Sequence, residues 1–214
     1  MTASPATIHI VDDDASFRKS TARLLTTSGY QVALYESASQ FLETANWDAP
    51  GCVLLDVRMP DVTGLQLQES LKEMGKVLPI IFLTGHGDIP MSVHAMRAGA
   101  EDFLTKPIAM PVLLEAVERA LARDRKLRAQ NEHFQALRAR YDTLTPKENE
   151  VLVLIVRGKL NKQVAHEVGT TERTVKWHRH KIMEKLGVRS LAELVSLAEN
   201  LGLLTESSES IKQD

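Results

Sequence analysis

At 214 residues the chain exceeds the usual domain of about 100–150 residues, so two domains are expected. Its 43% hydrophobic and 25% charged content fits an ordinary globular protein, no apolar run approaches the roughly 20 residues that span a bilayer, and no basic-then-apolar leader opens it, so membrane and secreted classes are set aside and a cytoplasmic chain is expected. The net charge of −2 conceals a division, since Met1 to Ile108 carries 8 Lys/Arg and 13 Asp/Glu, a net of −5, whereas Leu144 to Leu204 carries 10 and 7, a net of +3, which points the second half toward an anionic polymer.

Through residue 108 short apolar runs alternate with amphipathic stretches, the pattern of strand-and-helix units that build a parallel sheet. Strands are expected at Ile8 to Val11, Gln31 to Leu34, Cys52 to Leu55, Ile80 to Thr84 and Asp102 to Leu104. Helices are expected near Ser16 to Ser28, Ser37 to Thr44, Leu65 to Met74 and Pro90 to Ala98, with a fifth from Met110 that continues to about residue 124. The expected fold is α/β, a doubly wound five-stranded parallel sheet. Gly29 and Gly99 stand just past helices, where a left-handed closing residue is favoured. Cys52 is the one cysteine and opens an apolar strand, so a buried, reduced thiol is expected and a disulfide framework is excluded. Pro107 suits a cis peptide in a tight turn.

Asp12 and Asp13 follow the first strand, Asp56 the third and Lys106 the fifth. In an open parallel sheet the carboxyl ends of neighbouring strands converge on one edge, so these residues can meet around one ligand. Three carboxylates there require a cation, and oxygen-only ligands suit Mg2+. A lysine beside them can neutralise a phosphoryl oxygen as a point charge. The arrangement reads as a phosphoryl-transfer site in which one aspartate is the nucleophile. Taken alone, Asp12 to Asp14 would be a helix-capping acidic turn, Thr84 a strand-end hydroxyl and Phe103 a core residue.

Residues 109–143 form a helical linker with 7 Lys/Arg and 5 Asp/Glu. Within it Leu127, Gln130, Phe134, Leu137, Tyr141 and Leu144 fall at alternating spacings of three and four. The stripe is either a short coiled coil with a second copy or a face that packs on a neighbouring domain.

At Leu144-Thr145-Pro146-Lys147-Glu148 a strong helix start appears, with Thr145 as cap, Pro146 at the first helical position and Glu148 completing a capping box. Helices are then expected at Asn161 to Val168, Thr171 to Leu186 and Ser190 to Gly202, the first two joined by Gly169-Thr170 as a helix-turn-helix. Val175, Ile182 and Leu186 make the buried stripe of the second, which turns Arg173, Lys176, Trp177 and His180 to the opposite face. That face can enter a major groove, Lys176 reaching guanine acceptors or phosphate and Trp177 pressing on a thymine methyl. Arg157, Lys159, Lys162, Arg179, Lys181 and Arg189 supply charge near the DNA backbone. His178 and His180 are read as a solvated helix face, without a zinc site. Thr205 to Asp214 are polar and expected to be a disordered tail.

Laid out in this way the chain resembles a two-component response regulator of the FixJ/NarL family, a flavodoxin/CheY-like receiver over residues 1–108 joined to an all-α LuxR-type helix-turn-helix over residues 144–204. The resemblance is carried by Val11-Asp12-Asp13, Asp56-Val57-Arg58-Met59-Pro60, Thr84-Gly85-His86-Gly87 and Lys106-Pro107, and by Asn161-Lys162, Thr174-Val175-Lys176 and Lys185-Leu186-Gly187-Val188-Arg189-Ser190. It implies that Asp56 accepts a phosphoryl group from a sensor histidine kinase, and that Asp12, Asp13, Asp56 and the backbone carbonyl of Arg58 hold Mg2+. It further implies that Thr84, Gly85 and Lys106 surround the phosphoryl group, that Phe103 is an aromatic switch, and that the face from Ile89 to Lys106 pairs two copies on phosphorylation. Double-stranded DNA, contacted by Arg173, Lys176, Trp177, His180, Arg179 and Lys162, and RNA polymerase are the partners it implies. The chain is then a regulator rather than an enzyme, apart from loss of its own phosphoryl group. Trp177 is bulkier than the residue common at its place in such helices, and Arg58 and His86 flank the acceptor. Two other classes remain open: a HAD-like aspartyl-phosphate phosphatase, to which Asp12-Asp13-Asp14-Ala15-Ser16 is loosely similar, and a degenerate receiver acting as an interaction module.

Overall fold

The computed structural model describes residues 5–47, 49–60, 62–85 and 89–204. The chain folds as two compact units, Met1–Arg128 and Ala129–Asp214. The first contains β1 (Thr7–Val11), α1 (Ala15–Thr27), β2 (Gln31–Tyr35), α2 (Ala38–Thr44), β3 (Gly51–Asp56), α3 (Gly64–Glu73), β4 (Ile80–Thr84), α4 (Ile89–Arg97), β5 (Asp102–Thr105) and the first part of α5 (Met110–Tyr141). The second contains the rest of α5 with α6 (Pro146–Val156), α7 (Asn161–Val168), α8 (Glu172–Leu186) and α9 (Leu191–Asn200). The division falls inside α5, after Arg128, rather than at the start of a separate linker. The disordered tail expected over Thr205 to Asp214 lies outside the described residues.

The five strands form one parallel sheet in the order β2-β1-β3-β4-β5, the doubly wound arrangement expected from the alternating pattern. Central strands are buried on both faces, which is why they read as continuous apolar runs. Val11, Val53, Leu55 and Phe82 pack with Phe41 and Leu67 on one side, while Ile8, Ile10, Leu54, Ile81 and Leu83 pack with Leu25, Leu113 and Val117 on the other. Each fully buried aliphatic or aromatic side chain contributes about 1.5–3 kcal/mol relative to its exposed state. Cys52 is one of these buried groups, and burial pushes its thiol up to about 12. Gly29 and Gly99 adopt the left-handed backbone, at φ +90° and +101°, and the Lys106-Pro107 peptide is cis.

The clamp at the end of the first unit has no counterpart in the sequence pattern. Asp124, 1% exposed, accepts hydrogen bonds from the Gly51 backbone N–H at 3.0 Å and from Arg128 Nε at 2.9 Å, while Arg128 Nη2 donates to the Ala49 carbonyl at 2.6 Å. A buried carboxylate requires such partners, because an unpaired one costs several kcal/mol. The clamp fastens α5 to the amino end of β3.

His9 on β1 is 2% exposed, with Nδ1 3.0 Å from the Tyr35 hydroxyl and Nε2 buried without a hydrogen-bond partner. Burial lowers its pKa from 6.5 to about 4. The native imidazole is then neutral where the unfolded chain takes up a proton, so its stabilising contribution is complete above about pH 6.5 and is lost as pH falls toward 4. At pH 5 the loss is about 2 kcal/mol, from roughly 1.36 kcal/mol per pH unit. Trp47, whose ring packs 5.0 Å from Phe41 in the same aromatic cluster, is a local reporter once Trp177 is replaced by Phe. In that background His9→Phe is expected to flatten the fall in denaturant stability between pH 7 and pH 5 by about 2 kcal/mol. An unchanged slope would mean that His9 is not the group that titrates.

In the second unit Val151, Leu152, Ile155, Val164, Val175, Ile182, Leu186, Leu194 and Leu197 form the core. The Thr145–Glu148 capping box is present with Pro146 at the helix start, as the sequence predicts. Buried Glu148 also receives Lys185 Nζ at 2.5 Å, tying the start of α6 to the end of α8. Burial acts to raise the Glu148 pKa, but Lys185 and the Thr145 donors outweigh it and the carboxyl lies below its usual range. Of the linker stripe, Leu137, Tyr141 and Leu144 pack against this core, whereas Gln130 and Phe134 are exposed. The lower part of the stripe is thus a face packed on the unit's own helices.

Candidate functional site

Register brings the expected residues to one edge. Val11 stands opposite both Tyr35 and Leu55, Asp56 opposite Leu83, and Thr84 opposite Thr105. Asp12, Asp56, Thr84 and Lys106 therefore sit at matching ends of the adjacent strands β1, β3, β4 and β5. The strand order reverses between β1 and β3, which is where open α/β sheets bind ligands.

Lys106 Nζ lies 2.5 Å from Asp12 Oδ2 and 2.6 Å from Asp56 Oδ1. Each carboxylate gives its other oxygen to a backbone donor: Asp12 Oδ1 accepts from the Asp14 N–H at 2.9 Å and Asp56 Oδ2 from the Arg58 N–H at 2.7 Å. Asp12 is 0% and Asp56 6% exposed. Burial raises the Asp12 pKa against the opposing pull of Lys106 and the Asp14 amide. Burial alone would weaken the Lys106 ammonium, yet its two carboxylate partners hold its pKa above the ordinary lysine value. Asp13 is exposed, and among the described residues no group of three or more His, Cys, Asp or Glu is gathered as a metal cluster. Lys106, rather than a third carboxylate, stands between the two buried acids.

Close packing fixes the acceptor strand. Gly64, the first residue of α3, lies so near the Asp56 backbone that an added Cβ would meet its carbonyl oxygen at 2.3 Å. The helix therefore begins directly on the backbone of Asp56, and only glycine fits. Thr84 is 1% exposed and its carbonyl accepts the Lys106 N–H at 2.7 Å. Among the described residues, a Cβ at Gly85 would meet nothing within 4 Å. Phe103 is half-buried, its ring 6.1 Å from that of Phe82. His86 and Gly87 lie outside the described residues.

Two residues at this edge escape the sequence reading. Asp14 caps α1 by accepting from the Ser16 and Phe17 N–H groups, so the capping role and the acidic site coexist in one run. That cap sets the first turn of α1, which lays the Phe17 ring 4.0 Å from Lys106 Nζ in a cation–π contact and lets Arg18 Nη1 donate to the Asp12 carbonyl at 2.5 Å. A phenylalanine in a first helical turn reads from sequence as core and an arginine as solvent. The only signal available was their nearness to Asp12.

In the second unit α7 and α8 meet through Gly169, left-handed at φ 69°, and Thr171 caps α8. Val175, Ile182 and Leu186 are the buried residues of α8, the stripe its periodicity predicts. Arg173, Lys176, Trp177 and His180 are exposed, Trp177 to 55%. Lys162 is exposed in the first turn of α7. Arg179 is half-buried and donates to Asn161 Oδ1 at 3.2 Å, so it braces α8 against the start of α7. Lys159 and Lys181 are engaged by Glu167 and Glu184. His178 departs from the expected solvated face: it is half-buried with Nδ1 unpartnered, because it lies three residues after Val175 and four before Ile182, on the flank of the buried stripe.

A family model described as the response regulator receiver domain matches residues 8–118, and one described as bacterial regulatory proteins of the luxR family matches residues 142–198. The chain is 44% identical over 201 residues to response regulator protein TodT of Pseudomonas putida, covering 94% of this chain and 88% of that one. It is 41% identical over 192 residues to transcriptional regulatory protein FixJ of Rhizobium meliloti, covering 90% and 94%. Among solved structures it is similar to response regulator StyR, with a TM-score of 0.80 at 46% identity over 92% of this chain and 99% of the other.

Proposed function

The chain belongs to the response regulators that join a receiver domain to a LuxR-type DNA-binding domain, and from that premise we propose that Asp56 is the residue phosphorylated by a sensor histidine kinase. The protein is a DNA-binding transcriptional regulator, not an enzyme of the ordinary kind. The observation that carries the assignment is the pair of short contacts from Lys106 to Asp12 and Asp56 at the switch point of the sheet. Asp56 Oδ1 attacks the phosphorus of the kinase's phosphoimidazole, the P–N bond breaks, and an acyl phosphate forms. Hydrolysis of that anhydride returns the resting carboxylate.

Receiver domains generally bind Mg2+ in their acidic pocket. The donors present here fit a hard cation, since Asp12, Asp56 and the Arg58 carbonyl offer only oxygen. They would hold the ion, with exposed Asp13 beside them, and it would offset the charge of the carboxylates and of the incoming phosphate. The chain's own residues do the rest. Gly64 and the Arg58 N–H hold Asp56 in place, Phe17 pins the ammonium, and Lys106 and Thr84 receive the phosphoryl oxygens. The added group carries about 1.5 to 2 negative charges, enough to draw Lys106 and the Thr84 hydroxyl toward it and to free room for Phe103 to turn.

Ile89, Val93 and Met96 expose 79%, 42% and 45% of their surface on one face of α4, an apolar stripe that supports pairing with a second copy after this change. Pairing couples two basic DNA-binding units, and Arg173, Lys176, Trp177 and His180 then read two half-sites, with Lys162 and Arg179 at the backbone. RNA polymerase is the further partner of this reading and the cytoplasm its place, in keeping with the absence, among the described residues, of any helix long and apolar enough to cross a membrane. Borohydride reduction after treatment with acetyl phosphate, followed by peptide mass spectrometry, is expected to locate homoserine at position 56. Homoserine at position 12 or 13 would instead place the nucleophile in the first acidic run and defeat the assignment.

A further inference from the structure

Within the second unit the ends of α5 and α8 meet, and each sends a cation to the other's carbonyls. α8 closes on Gly187, left-handed at φ 70°, where the N–H groups of Gly187 and Val188 turn back to the Glu184 and Met183 carbonyls. The Leu186 carbonyl stands outside that closure and accepts Arg140 Nη1 of α5 at 3.4 Å. The guanidinium lies over Gly187, where an added Cβ would meet Nη1 at 2.8 Å. In return, Lys185 Nζ of α8 donates to the carbonyl of Thr143, in the turn after α5, at 3.1 Å and to buried Glu148 at 2.5 Å. The last carbonyls of a helix lack partners within it and carry partial negative charge, so a cation at each end is favourable, and here the exchange is mutual. Tyr141 fastens the same turn to α6: its hydroxyl donates to Asn149 Oδ1 at 2.7 Å, and it packs with Leu137 and Leu144 on the core. The luxR-type match begins at residue 142, so Arg140 lies outside it, yet it holds the end of the helix that bears Arg173, Lys176, Trp177 and His180.

We infer that the last turn of α5 is a working part of the DNA-binding unit, in which Arg140 is a positioning residue: it fixes the end of α8, and with it the angle at which that helix meets the groove, without touching DNA itself. The inference rests on α8 being the reading helix. Apparent affinity falls with the fraction of chains in which a binding element stands in its competent place. Loss of one helix-end cation therefore costs operator affinity about 3- to 5-fold. An exposed arginine of a DNA-binding unit has a rival role as a phosphate contact, and salt separates the two. A lost phosphate contact lowers the slope of log affinity against log salt by about 1, whereas a lost positioning contact leaves the slope where it was.

The experiment uses the full chain without phosphodonor and, as probe, the DNA duplex that the parent chain enriches most from a random library. Arg140→Met is expected to weaken binding about 3- to 5-fold at an unchanged salt slope, and Arg140→Lys to stay within about 1.5-fold of the parent, because a cation remains at the helix end. In the free chain, amide hydrogen exchange should quicken by a similar factor in the last turn of α8, Met183 to Gly187, in Arg140→Met alone. Arg138→Met removes the same charge from the same turn of α5, but the contacts of Arg138 are Asp142 and the Tyr141 ring, so both affinity and exchange should stay at the parent's values. Arg173→Ala reports on the premise: if it binds as tightly as the parent, α8 is not the reading helix and the inference falls with that reading. If Arg173→Ala weakens binding, three results overturn the role of Arg140 and leave the reading by α8 intact. These are an Arg140→Met variant that binds like the parent, a salt slope lowered by about 1 in that variant, and an equal loss in Arg138→Met.

Discussion

With acetyl phosphate present, the parent chain is expected to bind a two-half-site operator about 10²- to 10⁴-fold more tightly than without it, and Asp56→Asn is expected to lose that whole gain. The size follows from effective concentration: once two copies pair, engagement of the second half-site becomes intramolecular and needs no new interaction. Asparagine keeps the shape of the side chain, and its Oδ1 can still accept the Arg58 N–H that Asp56 Oδ2 accepts at 2.7 Å. It removes the nucleophile and one of the two acids on Lys106, leaving Asp12 at 2.5 Å to hold the ammonium. Basal DNA affinity should therefore stay near the parent's. Fluorescence anisotropy with operator DNA, run with and without phosphodonor alongside sedimentation velocity, separates the parts. A phosphodonor response that survives in Asp56→Asn would sink the switch. A response in affinity without any change in sedimentation would remove pairing from it.

Replacing Arg173 and Lys176 together by alanine is expected to weaken operator binding by about 3 kcal/mol or more, roughly 10²-fold, with the receiver's phosphorylation unchanged. Both side chains are exposed on α8, opposite the buried Val175, Ile182 and Leu186, so truncation leaves the core intact. For each DNA phosphate that a truncated side chain no longer neutralises, the slope of log affinity against log salt should also fall by about 1. Arg179→Ala offers the contrast. Its guanidinium braces α8 against Asn161, so its removal should show in unfolding as well as in binding. If the double variant bound the operator as tightly as the parent at matched salt, α8 would not be the reading helix.

The strand ends that bear Asp12, Asp56, Thr84 and Lys106 were legible in the chain because period and strand length are local properties, and a parallel sheet converts equal strand ends into one edge. The same holds for the Thr145–Glu148 capping box and for the buried side of α8, each a matter of residues three or four apart. Where local signals competed, the structure let both stand: Asp14 caps α1 while Asp12, two residues earlier, faces Lys106. The linker stripe had two readings of equal periodicity, and spacing has no means of telling a second copy from the neighbouring helices that Leu137, Tyr141 and Leu144 meet.

By itself, the sequence determined the alternation of strands and helices, the polarity of each face and the short-range caps, since these depend on neighbours within about one turn or one strand. Only the tertiary structure decided which side chains from remote segments share a charge: Phe17 and Arg18 at the acidic edge, Asp124 with Gly51 at the opposite edge, and Lys106 rather than Asp13 between the buried carboxylates. The reason is that burial and pairing energies depend on three-dimensional distance and local dielectric, which no window along the chain contains.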